Sequence, residues 1–400
     1  MNLNHSTLPR APGWLRAALL LVLLGGCGGG VDSGGTGGAA VYANGPINGF
    51  GSIIVNGVHF DDSTQNISDD DGASLKRSEL KLGMVAEMRG SAITVDAFGD
   101  SNSTAASIVI GSEIVGPIDA ISIPSNSLTV LGRPIDVQPT TVFEPGASLA
   151  ALAQGNVVEV YGLYNAFTDR FTATRIERKQ ILPPLHYKVR GKVNAWNSNL
   201  QTFSIGALRI SYASPILGGA LPVGFADGAV VRVRLDTTAS VAGVWTANRL
   251  RGGVSNPDDG HESKVEGLVD SFISITQFSV AGVAVTTNAQ TQIDNTVGDP
   301  KVGARLQVEG TFVNGTLAAN KVEVEFDSGD DFDFRGLLFA VDIVTQTLTI
   351  QGVSIDYSSP TVDFGSGHSA ADLKAGVNVR VRATLQGGTQ LKAYRIQFRN

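Results

Sequence analysis

What this sequence has little of narrows its chemistry at once. It holds one cysteine, Cys27. A lone cysteine excludes an intramolecular disulfide and a thiolate metal site. Histidine is scarce, and His59, His186, His261 and His368 show no metal-like spacing. There is no Gly-x-x-x-x-Gly-Lys phosphate loop and no dinucleotide fingerprint after a strand. Gly365-Ser366-Gly367-His368-Ser369 contains Ser and His but is not a Gly-x-Ser-x-Gly elbow. The chain therefore reads as non-enzymatic, with no cofactor. Excess positive charge is missing too. The formal net charge is −7, and without residues 1–26, which carry Arg10 and Arg16 and no acid, 28 basic side chains face 37 acidic ones. A chain of that balance is a poor nucleic-acid binder, and none is expected as a partner.

Long apolar runs are also lacking. The run at residues 17–24 follows Arg10 and Arg16 and ends in Leu24-Gly25-Gly26-Cys27. It is too short to span a bilayer as a mature helix. A charged start, a short apolar stretch and small residues before a cut make residues 1–26 a signal peptide. Leu-Gly-Gly-Cys resembles the lipobox of bacterial lipoproteins, which implies cleavage before Cys27, lipidation of its thiol and a membrane anchor. Residues 27–44 read as a Gly-rich flexible tether. About 17 residues of that kind hold the body roughly 20–25 Å from the membrane. By the sorting habit of such lipoproteins, the absence of Asp after Cys27 implies the outer membrane, with the body in the periplasm or at the cell surface.

What is present is a repeated phrase. Gly155-Asn156-Val157-Val158-Glu159-Val160 recurs from Gly83, Gly228, Gly303 and Gly376, at intervals of 72–75 residues. Gly opens it where the backbone turns, and apolar residues then alternate with polar ones, as in a strand with one buried face. Five repeats follow: 45–113, 114–184, 185–260, 261–331 and 332–400. An opening Gly is read at Gly49, Gly116, Gly191, Gly267 and Gly336. Helical turns are expected before the central strand, at Ser78-Glu79-Leu80, residues 148–152 and residues 370–373. Short strands at this spacing predict an all-β chain of five tandem small antiparallel barrels, OB-like, each of about 70 residues. A small sandwich is the second choice. Closure removes exposed sheet edges.

The string Gly45-Pro46-Ile47-Asn48-Gly49-Phe50-Gly51-Ser52-Ile53-Ile54-Val55-Asn56-Gly57-Val58, with Leu82-Gly83-Met84-Val85 after it, resembles the bacterial domain of unknown function 5666. The resemblance covers all five repeats and is strongest in the first two. It weakens at Leu235 and Ala383, where the other copies have Gly. It implies exported, often lipid-anchored, tandem β modules, and no activity.

Charge is uneven along the chain. Residues 187–256 hold eight basic side chains, among them Arg190, Lys192, Arg232 and Arg234, against Asp227 and Asp236 alone. Repeat one is near −6 by the same count. Arg232 and Arg234 lie two apart on a strand and share its outward face. Arg190, Lys192, Arg232 and Arg234 are thus candidates for an anionic glycan or lipopolysaccharide. The alternative is a surface that pairs with the acidic repeats. Asp69-Asp70-Asp71 reads as a surface loop, and each histidine as a surface or loop residue. Asp327, Asp330, Asp331 and Asp333 lack a calcium-loop pattern and read as a solvated linker. Trp196 and Trp245 align with apolar residues of the other copies, which assigns both to the core. The expected role is non-catalytic binding or scaffolding in the cell envelope, with the membrane and an envelope protein or anionic glycan as partners. Five similar modules suit multivalent contact.

Overall fold

In the computed structural model the residues described are 40–63, 66–180, 186–213, 221–240, 242–253, 259–325 and 332–399. Residues 1–26, read as a signal peptide, Cys27 and most of the stretch read as a tether lie outside them. So do the joins at 181–185, 254–258 and 326–331, the last with Asp327, Asp330 and Asp331.

The alternation seen in the sequence becomes strand. In Val230–Leu235, Val231, Val233 and Leu235 are buried, and the residues between them are half-exposed. Among the described residues, helix is confined to three single turns, Arg77–Glu79, Leu149–Ala151 and Ala370–Asp372. Each stands just before the Gly that opens a central strand, as expected.

Strand pairing follows one circuit. Ile114–Ser122 pairs with Ser127–Val130, which pairs with Arg133–Phe143. That strand runs parallel to Arg170–Arg178, which pairs with Val157–Asn165, and Val157–Asn165 returns to Ile114–Ser122. The ladder closes into a small barrel-like sheet. The same circuit closes in residues 41–111, 187–252, 262–324 and 332–398. The expectation of purely antiparallel sheets is corrected in one respect. The third and last strands of each circuit run parallel, because a crossover over the barrel end separates them.

The first strand, Val41–Phe50, begins inside the stretch assigned to the tether. Its register also corrects the opening glycine of repeat one. Gly116, Gly191, Gly267 and Gly336 each lie opposite the third residue after a central-strand Gly, at Val158, Val231, Leu306 and Val379. In repeat one the residue opposite the matching Ala86 is Gly45, not Gly49. The position demands Gly because the barrel is narrow there. A Cβ on Gly116 or Gly191 would collide with Leu131 or Ile205 of the second hairpin. Gly49 is needed for another reason, since a Cβ there would strike the Asp333 carbonyl of repeat five.

Residues 38–400 form one compact unit. One apolar core joins repeats one and five, through residues such as Phe60, Met88, Phe334 and Val381. A second joins repeats two and three, and a third fills repeat four together with Tyr42 of repeat one. The strand Val41–Phe50 is the hub. Its start runs parallel to the first strand of repeat four, Val41 opposite Glu262, and its end to that of repeat five, Phe50 opposite Phe334.

Candidate functional site

Two outward positions recur on each barrel as a cross-strand pair. One precedes the opening Gly and the other lies four residues beyond the central Gly. The pairs are Asn44 with Glu87, Val115 with Glu159, Arg190 with Arg232, Glu266 with Gln307, and Arg335 with Arg380. Their strand neighbours fill the cores, so strand alternation turns these side chains outward. There Arg190, Arg232, Arg335 and Arg380 meet carboxylates of repeat one.

In repeat three the two arginines grip one buried carboxylate. Arg190 Nη1 donates to both oxygens of Glu113, at 3.1 and 3.2 Å, and Arg232 Nη2 donates to Oε1 at 3.0 Å. Arg232 also reaches Asp70 at 3.4 Å. Lys188 lies 2.7 Å from Asp70 and 2.8 Å from Asp71, and Arg249 and Arg251 lie 3.4 and 3.3 Å from Asp71. Burial pushes the Asp71 carboxyl up, but Lys188, Arg251 and Arg234 outweigh it and hold the pKa below the usual carboxylate range. Asp69-Asp70-Asp71 is therefore no free surface loop. Asp70 is buried at the joint with repeat three, because strand Ile67–Asp69 delivers it there.

Repeat five repeats the device on repeat one. Asp100, buried, takes Arg335 and Arg380 at 2.8 Å each and Arg399 at 2.9 Å. His59 closes this joint. Arg335 Nη2 donates to its Nε2 at 2.6 Å, which leaves the ring proton on Nδ1, 3.3 Å from Ser52 Oγ. Burial, with Arg335 beside it, lowers the His59 pKa to about 4. The reading of His59 as a surface residue is corrected: it is 4% exposed, enclosed by a repeat far away in the chain.

The four basic candidates thus share one strand pair, and two of them share a partner. Arg190 and Arg232 meet at Glu113. Arg234 Nε donates to Asn248 Oδ1 at 2.6 Å, and Lys192 is half-buried and lowers the pKa of Asp169. Sequence reasoning missed Glu113, Asp70, Asp100 and His59. The signal for the first two was the opposite net charge of repeats one and three.

Trp196 is corrected as well. It stands at the barrel end, 38% exposed, its Nε1 donating to Tyr212 Oη at 2.9 Å and its ring edge-on to Phe225. The aligned Ile121, Phe272 and Val341 are likewise only half-buried, since the position lies where the hairpin leaves the barrel. Trp245 packs against the core beside Tyr187. Of the acidic linker candidates, Asp333 is bound to Arg380 at 2.9 and 3.0 Å through its Nε. His368 stacks on Phe398.

Where repeats one to four meet, they line a partly open cavity of about 210 Å³. Repeat one supplies Tyr42, Asn44 and Glu87, and repeat three supplies Arg190, Arg232 and Arg251. Tyr164 stands under the Arg190 guanidinium, 5.2 Å from ring centre to Cζ, and donates to Asp169 at 2.6 Å. Burial and that carboxylate push the phenol well above its ordinary pKa, and burial does the same to Tyr42, so both remain neutral donors.

No curated protein matches the chain. Residues 115–177, 266–323 and 335–397 match the family model described as a domain of unknown function, DUF5666. These are repeats two, four and five, so the chain carries tandem DUF5666 repeats.

Proposed function

We propose that this protein is a lipid-anchored scaffold of the cell envelope, built of five OB-like barrels and acting through its repeat surfaces without catalysis. The OB-like assignment is supported by the order in which five strands pair and by the helical turn ahead of the fourth. The anchor is supported by Leu24-Gly25-Gly26-Cys27. The observation that carries the scaffold reading is the use made of the basic side chains of repeat three. Arg190, Arg232, Lys188, Arg249 and Arg251 bind carboxylates of repeat one, at its joint with repeat three. Cations spent in this way fix modules to one another. An anionic glycan at Arg232 would have to displace Asp70 and Glu113.

The test is crosslinking in living cells, with recovery of the tagged protein. The scaffold reading expects one recurrent envelope protein at the same repeat. Recovery of anionic polysaccharide, lost in Lys192→Glu/Arg234→Glu, would replace it with the glycan reading. Separately, Cys27→Ser should move the protein from the membrane to the soluble fraction. If it stays with the membrane, the anchor is wrong.

A further inference from the structure

The cavity at the junction of repeats one to four has walls of opposite character. On one side are Arg190, Arg232 and Arg251. Arg190 is 7% exposed, and its Nε has no hydrogen-bond partner among the described residues; nor has the Nε of Arg251. Other arginines share this feature, Arg133, Arg335 and Arg395; Arg190 and Arg251 line one cavity together. A buried guanidinium N–H without an acceptor is costly, and an acceptor placed in the cavity would remove that cost. Across from them stand Glu87 and Glu266, with the Tyr42 phenol and Asn44. Glu87 has Arg89 at 3.6 Å as its ion-pair partner, too long for a hydrogen bond.

We infer that this cavity binds a small zwitterion of the amino-acid type, its carboxylate toward Arg190 and Arg251 and its ammonium toward Glu87. Three features select that class. The volume of about 210 Å³ equals that of roughly seven waters at ~30 Å³ each, which suits a compact molecule. Glu113 already holds Arg190 and Arg232, Asp70 holds Lys188 and Arg305 holds Glu266, so a ligand meets chiefly Glu87 on one wall and the Nε groups of Arg190 and Arg251 on the other. Charges of both signs face one another, so a ligand with one group of each sign satisfies both walls. The site exists only where four repeats meet, since Glu87, Arg232 and Glu266 occupy related outward positions on three different barrels.

The test uses the full chain in detergent, titrated calorimetrically with L-alanine and L-serine, and with acetate and ethylammonium as single-charge controls. Expected is saturable binding of an amino acid at one per chain, with neither control binding in the same range. Glu87→Gln should weaken it about tenfold or more, since a charge-assisted contact is lost, while the ligand-free melting temperature stays unchanged. Val109→Trp, a half-buried wall residue, should abolish binding by filling the space. Absence of binding by both amino acids at millimolar concentration, or binding indifferent to Glu87→Gln and Val109→Trp alike, would overturn the assignment and leave a water-filled joint.

Discussion

Glu113 is the residue on which two repeats turn. It is 1% exposed and holds both Arg190 and Arg232. Removing one member of a buried ion cluster leaves the others desolvated and unpaired. Glu113→Ala should therefore cost about 3–5 kcal/mol in urea unfolding, and adding Arg190→Met should recover part of that loss. If the double variant is as unstable as the sum of the two singles, the residues are not coupled. His59 gives a second residue-level test. Its pKa is lowered to about 4 in the folded protein, so the unfolded chain takes up the proton first as pH falls. Stability should be full above about pH 6.5 and decline down to about pH 4, by at most ~3 kcal/mol. His59→Gln should flatten that part of the urea-midpoint profile. Neither residue announced itself in the sequence. A buried histidine and a surface one look alike when the enclosing arginine, Arg335, lies 276 positions away.

At the scale of elements, much was readable. The strands and the three helical turns follow from alternation and from local Gly, and both are short-range properties. The opening glycine of repeat one was misread because Gly45 and Gly49 stand four apart and only the register to Ala86 tells them apart. The parallel ladder within each circuit was invisible for the same reason, since pairing partners are set by closure and not by neighbours in sequence. Substitutions at two positions probe these elements. Gly191→Ala should cost about 1–3 kcal/mol through overpacking against Ile205. Asn56 sits at φ 51°, buried, and its Nδ2 donates to the Asn44 carbonyl at 2.9 Å and to the Lys264 carbonyl at 3.1 Å. Asn56→Ala should lose about 2 kcal/mol, from the turn and from the joint with repeat four together. Asn56→Gly, which keeps the turn geometry, should lose less. Thermal melts of both variants separate the two contributions.

For the whole molecule, the question was whether five modules hang as beads or pack. Sequence periodicity speaks for each unit and is silent on the contacts between units. The shared cores of repeats one with five, and of two with three, answer it for residues 38–400. Calorimetry should then show far fewer transitions than repeats, with repeats one and five melting together. Deleting residues 332–400 should destabilise repeat one, because Phe332, Phe334 and Val381 belong to its core. Five independent transitions would contradict this packing. The sign of charge at the outward strand pair has a consequence for how such an array can have grown. Glu87 and Glu159 are acids where Arg232 and Arg380 are bases, with Gln307 neutral between them. A freshly duplicated repeat would inherit its parent's sign and repel the very neighbour it had to meet. Along this chain the sign is kept from Glu87 to Glu159 and reversed at Arg232 and Arg380, the two repeats that grip carboxylates of repeat one, so repeats three and five can no longer be exchanged for repeats one and two.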